Sequence, residues 1–432
     1  MPLSAPFTHL STATSIRLLD IDPGNTGDSL VCTFHEVDLE SCAADPLFSA
    51  LSYRWGDEHD KPEVTVNGRT VVVRRNLYDF LLHARREGWL YNLWIDALCI
   101  NQKATRERNR QVAMMGHIYS RAYRVLIWLG PLGEVESRGL LEFSTWCEGV
   151  NDLTRGASCE DNFGILINAC YRWHSLSPSC RRGMARVLQN PYWLRKWIIQ
   201  EIYLSGPTAQ IVTCHSSYWT STIPLTQIAK GVSHVLSDFF SESTAWEPPW
   251  EYHMGDYCNY PRWEENWDSY RGVDLANADD DMIDALQLWS FRRFIGYDPN
   301  VARFRYTSAT GLPRFWETLG DATMTFKPQH LIMLMDAFRR HPCTVKHDNV
   351  YALLGLADLK PGSLKVDYYC SIEDLARAVW AAMKDDFEGH EVDNCILYTL
   401  QITDRENFSL EPQGYVNKIL DRLKGWWRTE PH

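Results

Sequence analysis

The sequence predicts an α/β fold: a largely parallel sheet with flanking helices and a β-hairpin insertion, followed by a mostly α-helical C-terminal region. Three observations lead there. Between Leu30 and Leu129, short apolar runs alternate with stripes at helical spacing; Asn67-Gly68 separates two β-branched runs; and beyond Gly130 the apolar spacing becomes mainly helical. Composition sets the outer limits. The 432 residues are 45% hydrophobic and include 18 Trp. At roughly 100–200 residues per domain, that length admits two or three domains with real cores. Wholesale disorder, collagen-like repetition and a small disulfide-stapled scaffold are excluded. With 43 Lys+Arg against 55 Asp+Glu the net charge is −12, which argues against binding to nucleic-acid phosphates.

Residues 1–28 are polar and turn-rich, ending in Asp22-Pro23-Gly24-Asn25-Thr26-Gly27, and read as an N-terminal arm. The alternation of Leu30, Cys32 and Phe34 then marks a half-buried strand running to Val37. Phe48 to Tyr53 is a short apolar run broken at Trp55-Gly56-Asp57, a buried strand followed by a loop. Val64-Thr65-Val66 and Thr70-Val71-Val72-Val73 flank Asn67-Gly68, the pair best suited to the left-handed positions of a two-residue turn, so a hairpin is predicted here. Asn76 is placed to cap a helix whose apolar stripe is Leu77, Phe80, Leu81 and Ala84. Leu93 to Asp96 reads as the next buried strand, residues 104–122 as an amphipathic helix with Val112, Met115, Ile118, Tyr119 and Ala122 inward, and Val125 to Leu129 as a strand stopped by Gly130-Pro131. This alternation implies parallel strands joined by right-handed crossovers.

Downstream, Asn190-Pro191 has the form of an N-cap followed by proline at the first helical position, which starts a helix through Tyr192 to Ile202. Residues 240–281, rich in Trp, Pro, Tyr and acids, read as a surface excursion or linker, and helices are expected near 282–296, 328–340, 348–355 and 372–385. No apolar stretch approaches the roughly 20 residues of a membrane span. Met1 to Asp20 lacks the basic start and apolar block of a secretory signal. Twelve scattered cysteines without a Cys-x-x-Cys pair fit reduced thiols in a cytoplasmic protein rather than a zinc site or disulfide framework.

Most catalytic motifs are missing: there is no Walker loop, Gly-x-Ser-x-Gly elbow, His-Glu-x-x-His or EF-hand loop, and no metal site is expected. Two polar clusters follow buried strands, Ser52-Tyr53-Arg54-Trp55-Gly56-Asp57 and Asp96 to Cys99 with Asn101 and Gln102. Ligands of open α/β sheets bind beyond the carboxyl ends of strands, so both clusters can line one crevice. The plainer reading is that Asn and Asp cap helices and Trp55 fills core. The helix from Pro191 is more pointed. At about 100° per residue, with Leu194 at zero, Trp197 falls near about −60°, Ile198 near about +40° and Glu201 near about −20°. Glu201 therefore lies mid-way across the apolar face, where a carboxylate must be paired, hydrogen-bonded or protonated. It is either a catalytic carboxylate or the structural partner of an arginine such as Arg54 or Arg124. Cys99 reads as an inert buried thiol, Asp279-Asp280-Asp281 as a solvated acidic turn, and Trp246, Trp250, Trp263 and Trp267 as a binding platform or as packing of the excursion.

In order, these segments resemble the heterokaryon-incompatibility (HET) domain. A Ser-Tyr-x-Trp-Gly signature appears as Ser52-Tyr53-Arg54-Trp55-Gly56, and a Trp-Ile-Asp-Ala-x-Cys-Ile-Asn-Gln signature as Trp94 to Gln102. A helix with Glu-Arg-x-x-Gln-Val and Met-x-x-Ile-Tyr follows as Glu107 to Val112 and Met115 to Tyr119, then Val125 to Gly130. The last block, Trp-x-x-Arg-x-Trp-x-x-Gln-Glu, appears as Trp193 to Glu201 with its arginine, Arg195, one position early. Asp348 to Leu356 and Val366-Asp367-Tyr368 resemble a segment that often follows this domain in fungal proteins.

The resemblance implies an effector of fungal non-self recognition and programmed cell death. It also implies distant similarity to the Toll/interleukin-receptor (TIR) domain, a flavodoxin-like α/β unit. NAD-cleaving members of that group carry a glutamate on a helix, and Glu201 is its counterpart; Ser52-Tyr53 resembles the end of that group's first strand. On this basis residues 29–215 form the HET domain, 216–281 the excursion or linker and 282–432 the α-rich C-terminal region. Glu201 is the candidate catalytic residue, and Ser52, Tyr53, Arg54, Trp55, Asp96 and Asn101 are the candidate binding residues. NAD is the candidate substrate of a glycohydrolase, with no cofactor required. The expected partners are a second copy through the HET domain and the product of an incompatible allele. The alternatives are a non-enzymatic self-associating adaptor or a non-toxic accessory protein keeping the fold.

Overall fold

The computed structural model describes residues 6–25, 27–40, 48–154, 190–213, 222–228, 330–338, 341–360, 362–383 and 395–402, with isolated positions 177, 180, 183 and 187. The strands are β1 (Ser15–Ile21), β2 (Val31–Asp38), β3 (Ser49–Tyr53), β4 (Glu63–Val66), β5 (Arg69–Val72), β6 (Leu93–Trp94), β7 (Arg124–Trp128), β8 (Ala209–Val212) and β9 (Thr222–Pro224). They form one sheet in the order β5-β4-β2-β1-β6-β3-β7-β8-β9.

The centre, β6-β3-β7-β8, is parallel throughout, with Ser49 opposite Arg124 and Tyr53 opposite Trp128 across β3 and β7. Every residue of β3 is buried, and Val125 to Trp128 of β7 are too, as expected of strands covered on both faces. Outside this centre the sheet differs from the largely parallel prediction. β1–β2, β1–β6, β4–β5 and β8–β9 are antiparallel, and only β2–β4 adds a further parallel pair, so the described sheet is mixed. Numbered along the chain, the central parallel strands lie in the order second, first, third, fourth.

The largest correction is at the N-terminus. Residues 15–21, read as part of an arm, form β1, a buried strand between β2 and β6. Its charges hide it in the sequence. Arg17 is 2% exposed and donates to Glu107 and to the Cys99 carbonyl at 3.0 Å, while the Asp20 carboxylate accepts from the Asn92 backbone at 2.8 Å. Each charge has a partner far along the chain, which local periodicity cannot reveal.

The hairpin forms as predicted. Asn67 and Gly68 take φ of 49° and 69°, the left-handed pair of a type I′ turn, and β4 and β5 close around them. Helix α1 (Arg75–Arg86) buries Leu77, Phe80, Leu81 and Ala84 as expected. Asn76 is not its cap, because the helix starts one residue earlier, and its amide serves a different purpose described below. Asp96 opens a single-turn helix, α2 (Asp96–Cys99), rather than ending a strand. α3 (Thr105–Arg121) turns Val112, Met115, Ile118 and Tyr119 inward, and α4 (Glu134–Thr154) follows β7.

The predicted helix from Pro191 is two pieces. Asn190 caps a 3-10 turn, Pro191–Leu194, by accepting from the Tyr192 backbone at 2.9 Å. The chain breaks out of helical form at Arg195 and resumes as α5 (Ile198–Ser205), which leads into β8.

Of the C-terminal helices expected, three lie among the described residues: α6 (Leu331–Ala337), α7 (Asp348–Tyr351), continued by a 3-10 turn at Leu354–Leu356, and α8 (Ile372–Met383). Their apolar side chains join the same core as the sheet. The expected helix near 282–296, the acidic turn at 279–281 and the Trp-rich stretch of 240–281 lie outside the described residues.

Candidate functional site

Because β3, β6 and β7 run parallel, the residues that follow them emerge at one edge of the sheet. Two of the sequence clusters meet there. The indole nitrogen of Trp55 donates to Asp96 Oδ2 at 2.9 Å, and Gln102 Nε2 donates to the Asp96 carbonyl at 2.9 Å. Asn76 fastens the same edge: its amide donates to the Arg54 carbonyl at 2.6 Å, and its oxygen accepts from the Trp128 indole at 2.9 Å.

Glu201 comes to this edge from α5 and is 1% exposed. Its Oε2 accepts from Ser52 Oγ, which lies 2.6 Å from Tyr192 Oη, so a tyrosine, a serine and a carboxylate form one buried chain. Arg195 stands 3.7 Å from the same oxygen and also donates to the Tyr53 carbonyl. Burial pushes the Glu201 carboxyl up to about 7, against the pull of Arg195 and the Ser52 hydrogen bond, and Asp96 adds to the rise. Burial likewise raises Asp96, opposed by Arg195 and the Trp55 bond. Arg195 is held above its ordinary value: partial burial works against it, but Glu201 and Asp96 outweigh that cost. The Arg195 side chain as a whole keeps 19% of its surface exposed, whereas Glu201 and Ser52 are buried.

The site residues therefore divide. Glu201, Ser52, the backbone of Tyr53, Trp55 and Asp96 converge, with Arg195 between the two carboxylates. Arg54 offers its carbonyl while its side chain is exposed. Asn101 closes the turn before α3, its oxygen accepting from the Lys103 backbone at 3.2 Å and its own N–H donating to Glu107 at 2.8 Å. One face of the Trp55 ring carries the Arg74 guanidinium, 5.4 Å from its centroid. Cys99 is fully buried with its thiol pushed up to about 12 by burial, which makes it an inert core residue. Among the described residues, no group of three or more His, Cys, Asp or Glu is arranged to hold a metal ion.

Arg195 and Tyr192 were missed by sequence reasoning, which offered Arg54 or Arg124 to Glu201. Arg124 instead donates to Ser49 Oγ at 2.9 Å and lies over the Trp89 ring. The broken helix explains the error. On one continuous helix Arg195 and Glu201 would be about 120° apart; the extended backbone at Arg195, ψ 136°, swings its side chain onto the side of Glu201.

This architecture, an α/β sheet with its polar cluster built from residues 52–55, 96 and 195–201, coincides with a known family. Residues 48–201, about a third of the chain, match the family model described as Heterokaryon incompatibility protein (HET). A curated relative is "Heterokaryon incompatibility protein 6, OR allele" of Neurospora crassa, 37% identical over 150 residues. The match covers 32% of this chain and 21% of that protein, so the chain spans only about a fifth of the relative's length. No solved structure matches the chain. Among the described residues, no helix is long and apolar enough to cross a membrane.

Proposed function

We propose that the chain is an effector of non-self recognition and cell death whose HET domain hydrolyses the nicotinamide–ribose bond of NAD, with Glu201 as the catalytic carboxylate. The observation that carries this reading is a carboxyl group pushed up to about 7, hydrogen-bonded to Ser52 beyond the carboxyl end of β3. The parallel centre, ordered second-first-third-fourth, supports it, because that is the flavodoxin-like winding, whose ligands sit beside the first strand where the order reverses. The same order supports the Toll/interleukin-receptor likeness.

The chemistry needs little else. As the C1′–N1 bond breaks, its electron pair returns to the pyridinium nitrogen, neutral nicotinamide leaves, and positive charge builds on the ribose. A carboxylate beside that carbon stabilises the oxocarbenium-like transition state, and the attacking water then gives its proton to Glu201. On this reading Asp96 and Ser52 would hold ribose hydroxyls. Because Glu201 is 1% exposed, substrate entry requires Arg195 to move off Oε2. The test is nicotinamide release from NAD by the purified chain. Glu201→Gln is expected to lower the rate at least about a hundredfold, and wild-type-like release by that variant would sink the assignment.

One observation favours a second reading. Glu201 in this structure is sealed against Arg195, as a structural ion pair would be. On that reading the domain is a self-associating adaptor without turnover, and Glu201→Gln changes folding stability alone.

A further inference from the structure

Residues 195–201 form a shared wall. Arg195 and Glu201 face the strand ends, as described. Their neighbours contact the C-terminal segment: Lys196 Nζ donates to Asn349 Oδ1 at 2.9 Å, the Trp197 side chain hydrogen-bonds to the Asp348 carboxylate, and Gln200 Oε1 accepts from the Gly355 backbone at 3.3 Å. The contact is buried and close. Lys196 is 1% exposed and Asn349 5%. A Cβ on Gly355 would stand 3.0 Å from Gly116 Cα and 2.7 Å from Gln200 Oε1, so the turn at 354–356 lies backbone-on-backbone against α3.

The segment is also tied to α3 independently of the wall. Arg108 covers the Tyr368 ring at 4.3 Å, Tyr368 donates to Asp348 at 2.6 Å, and Asn109 donates to Asp367 at 3.2 Å. A buried lysine ammonium is costly without a fixed acceptor. Here the acceptor comes from some 150 residues downstream, at the point where the chain leaves helical form and aims Arg195.

We infer that residues 348–355 are the positioning element of the site, and that Lys196 and Asn349 act on Glu201 by fixing the backbone that holds Arg195 against it. The inference rests on the Glu201–Arg195 cluster being the working site, and it assigns to the C-terminal segment control over whether Glu201 is covered. Among the described residues, the groups facing Glu201 are Ser52 and Tyr53 from β3, Tyr119 from α3, Tyr192 from the 3-10 turn, Asp96 from α2 and Arg195. Only Arg195 is cationic, so its displacement has a defined sign.

The test is the carboxyl titration of Glu201 in the full chain, followed by 13C NMR on labelled glutamate and assigned with Glu201→Gln. Arg195→Met is expected to raise the midpoint by about one pH unit or more, through loss of the opposing charge. Asn349→Ala should move it in the same direction, Asn349→Asp should restore it, and Asn349→Ala should add nothing in the Arg195→Met background. A midpoint unchanged by Asn349→Ala, or one that shifts further in the double variant, overturns the inference. Should Asn349→Ala fail to fold by circular dichroism, Asn349→Ser, too short to reach Lys196, carries the same cycle. A wild-type chain that releases no nicotinamide sinks the NAD reading but leaves this titration readable, since it needs no turnover.

Discussion

At the residue scale, burial decides the chemistry more than residue type does. Burial pushes the Glu201 carboxyl up to about 7 in the folded chain, from an ordinary value of 4.5. Between those values the folded state holds a proton that the unfolded state has lost, so this residue's contribution to stability falls as pH rises from about 4.5 through about 7. That difference corresponds to an upper bound of roughly 3 kcal/mol. Urea unfolding at pH 5 and pH 8 should therefore show wild type losing more stability over that interval than Glu201→Gln; parallel pH profiles would contradict this. The Arg17–Glu107 pair offers a second prediction. Arg17 is 2% exposed, and Glu107→Ala strands its charge, which is expected to cost about 3–5 kcal/mol in chemical denaturation. The sequence made the burial of Glu201 legible, because seven residue steps from Leu194 are enough to place it on an apolar face. It could not supply the partner. Arg195, Tyr192 and Asn76 reach the site through a helix break and two long-range hydrogen bonds, and neither propensity nor spacing encodes those.

At the element scale, what was legible had a local cause. The Asn67-Gly68 turn, the stripes of α1 and α3 and the apolar run of β3 all follow from a few adjacent residues. β1 was illegible because Arg17 is paired with Glu107 and the Asp20 carboxylate accepts from the Asn92 backbone N–H, and the mixed sheet was illegible because β1 enters antiparallel beside β6. The contact between α3 and the turn at Leu354–Leu356 makes a sharp prediction. Gly355→Ala adds one methyl group that meets backbone at 3.0 Å, and such overpacking is expected to cost about 1–3 kcal/mol. Hydrogen exchange should then quicken in 348–356 and in α5 together. Faster exchange in 348–356 alone would separate the two.

At the scale of the whole molecule, the HET match ends at residue 201, but the folded body does not. β8 and β9 extend the sheet, and Val350, Tyr351, Leu353 and Leu356 are each at most 1% exposed in the common core. A fragment of residues 1–215 lacks those side chains and leaves Lys196 without its acceptor. It is expected to bind a hydrophobic dye and to aggregate, whereas the full chain does not; a monomeric, cooperatively unfolding fragment would refute this. The sheet's outer strands carry a last consequence. β5 has four residues and β9 has three, the latter ending in Pro224, which has no N–H to offer. Among the described residues the longer strands all lie inside, so copies joined strand to strand would find only short rows of backbone groups at these two margins. Strand-to-strand pairing at these two margins is thereby disfavoured, which leaves helix faces and loops as the surfaces on which two copies would more readily meet.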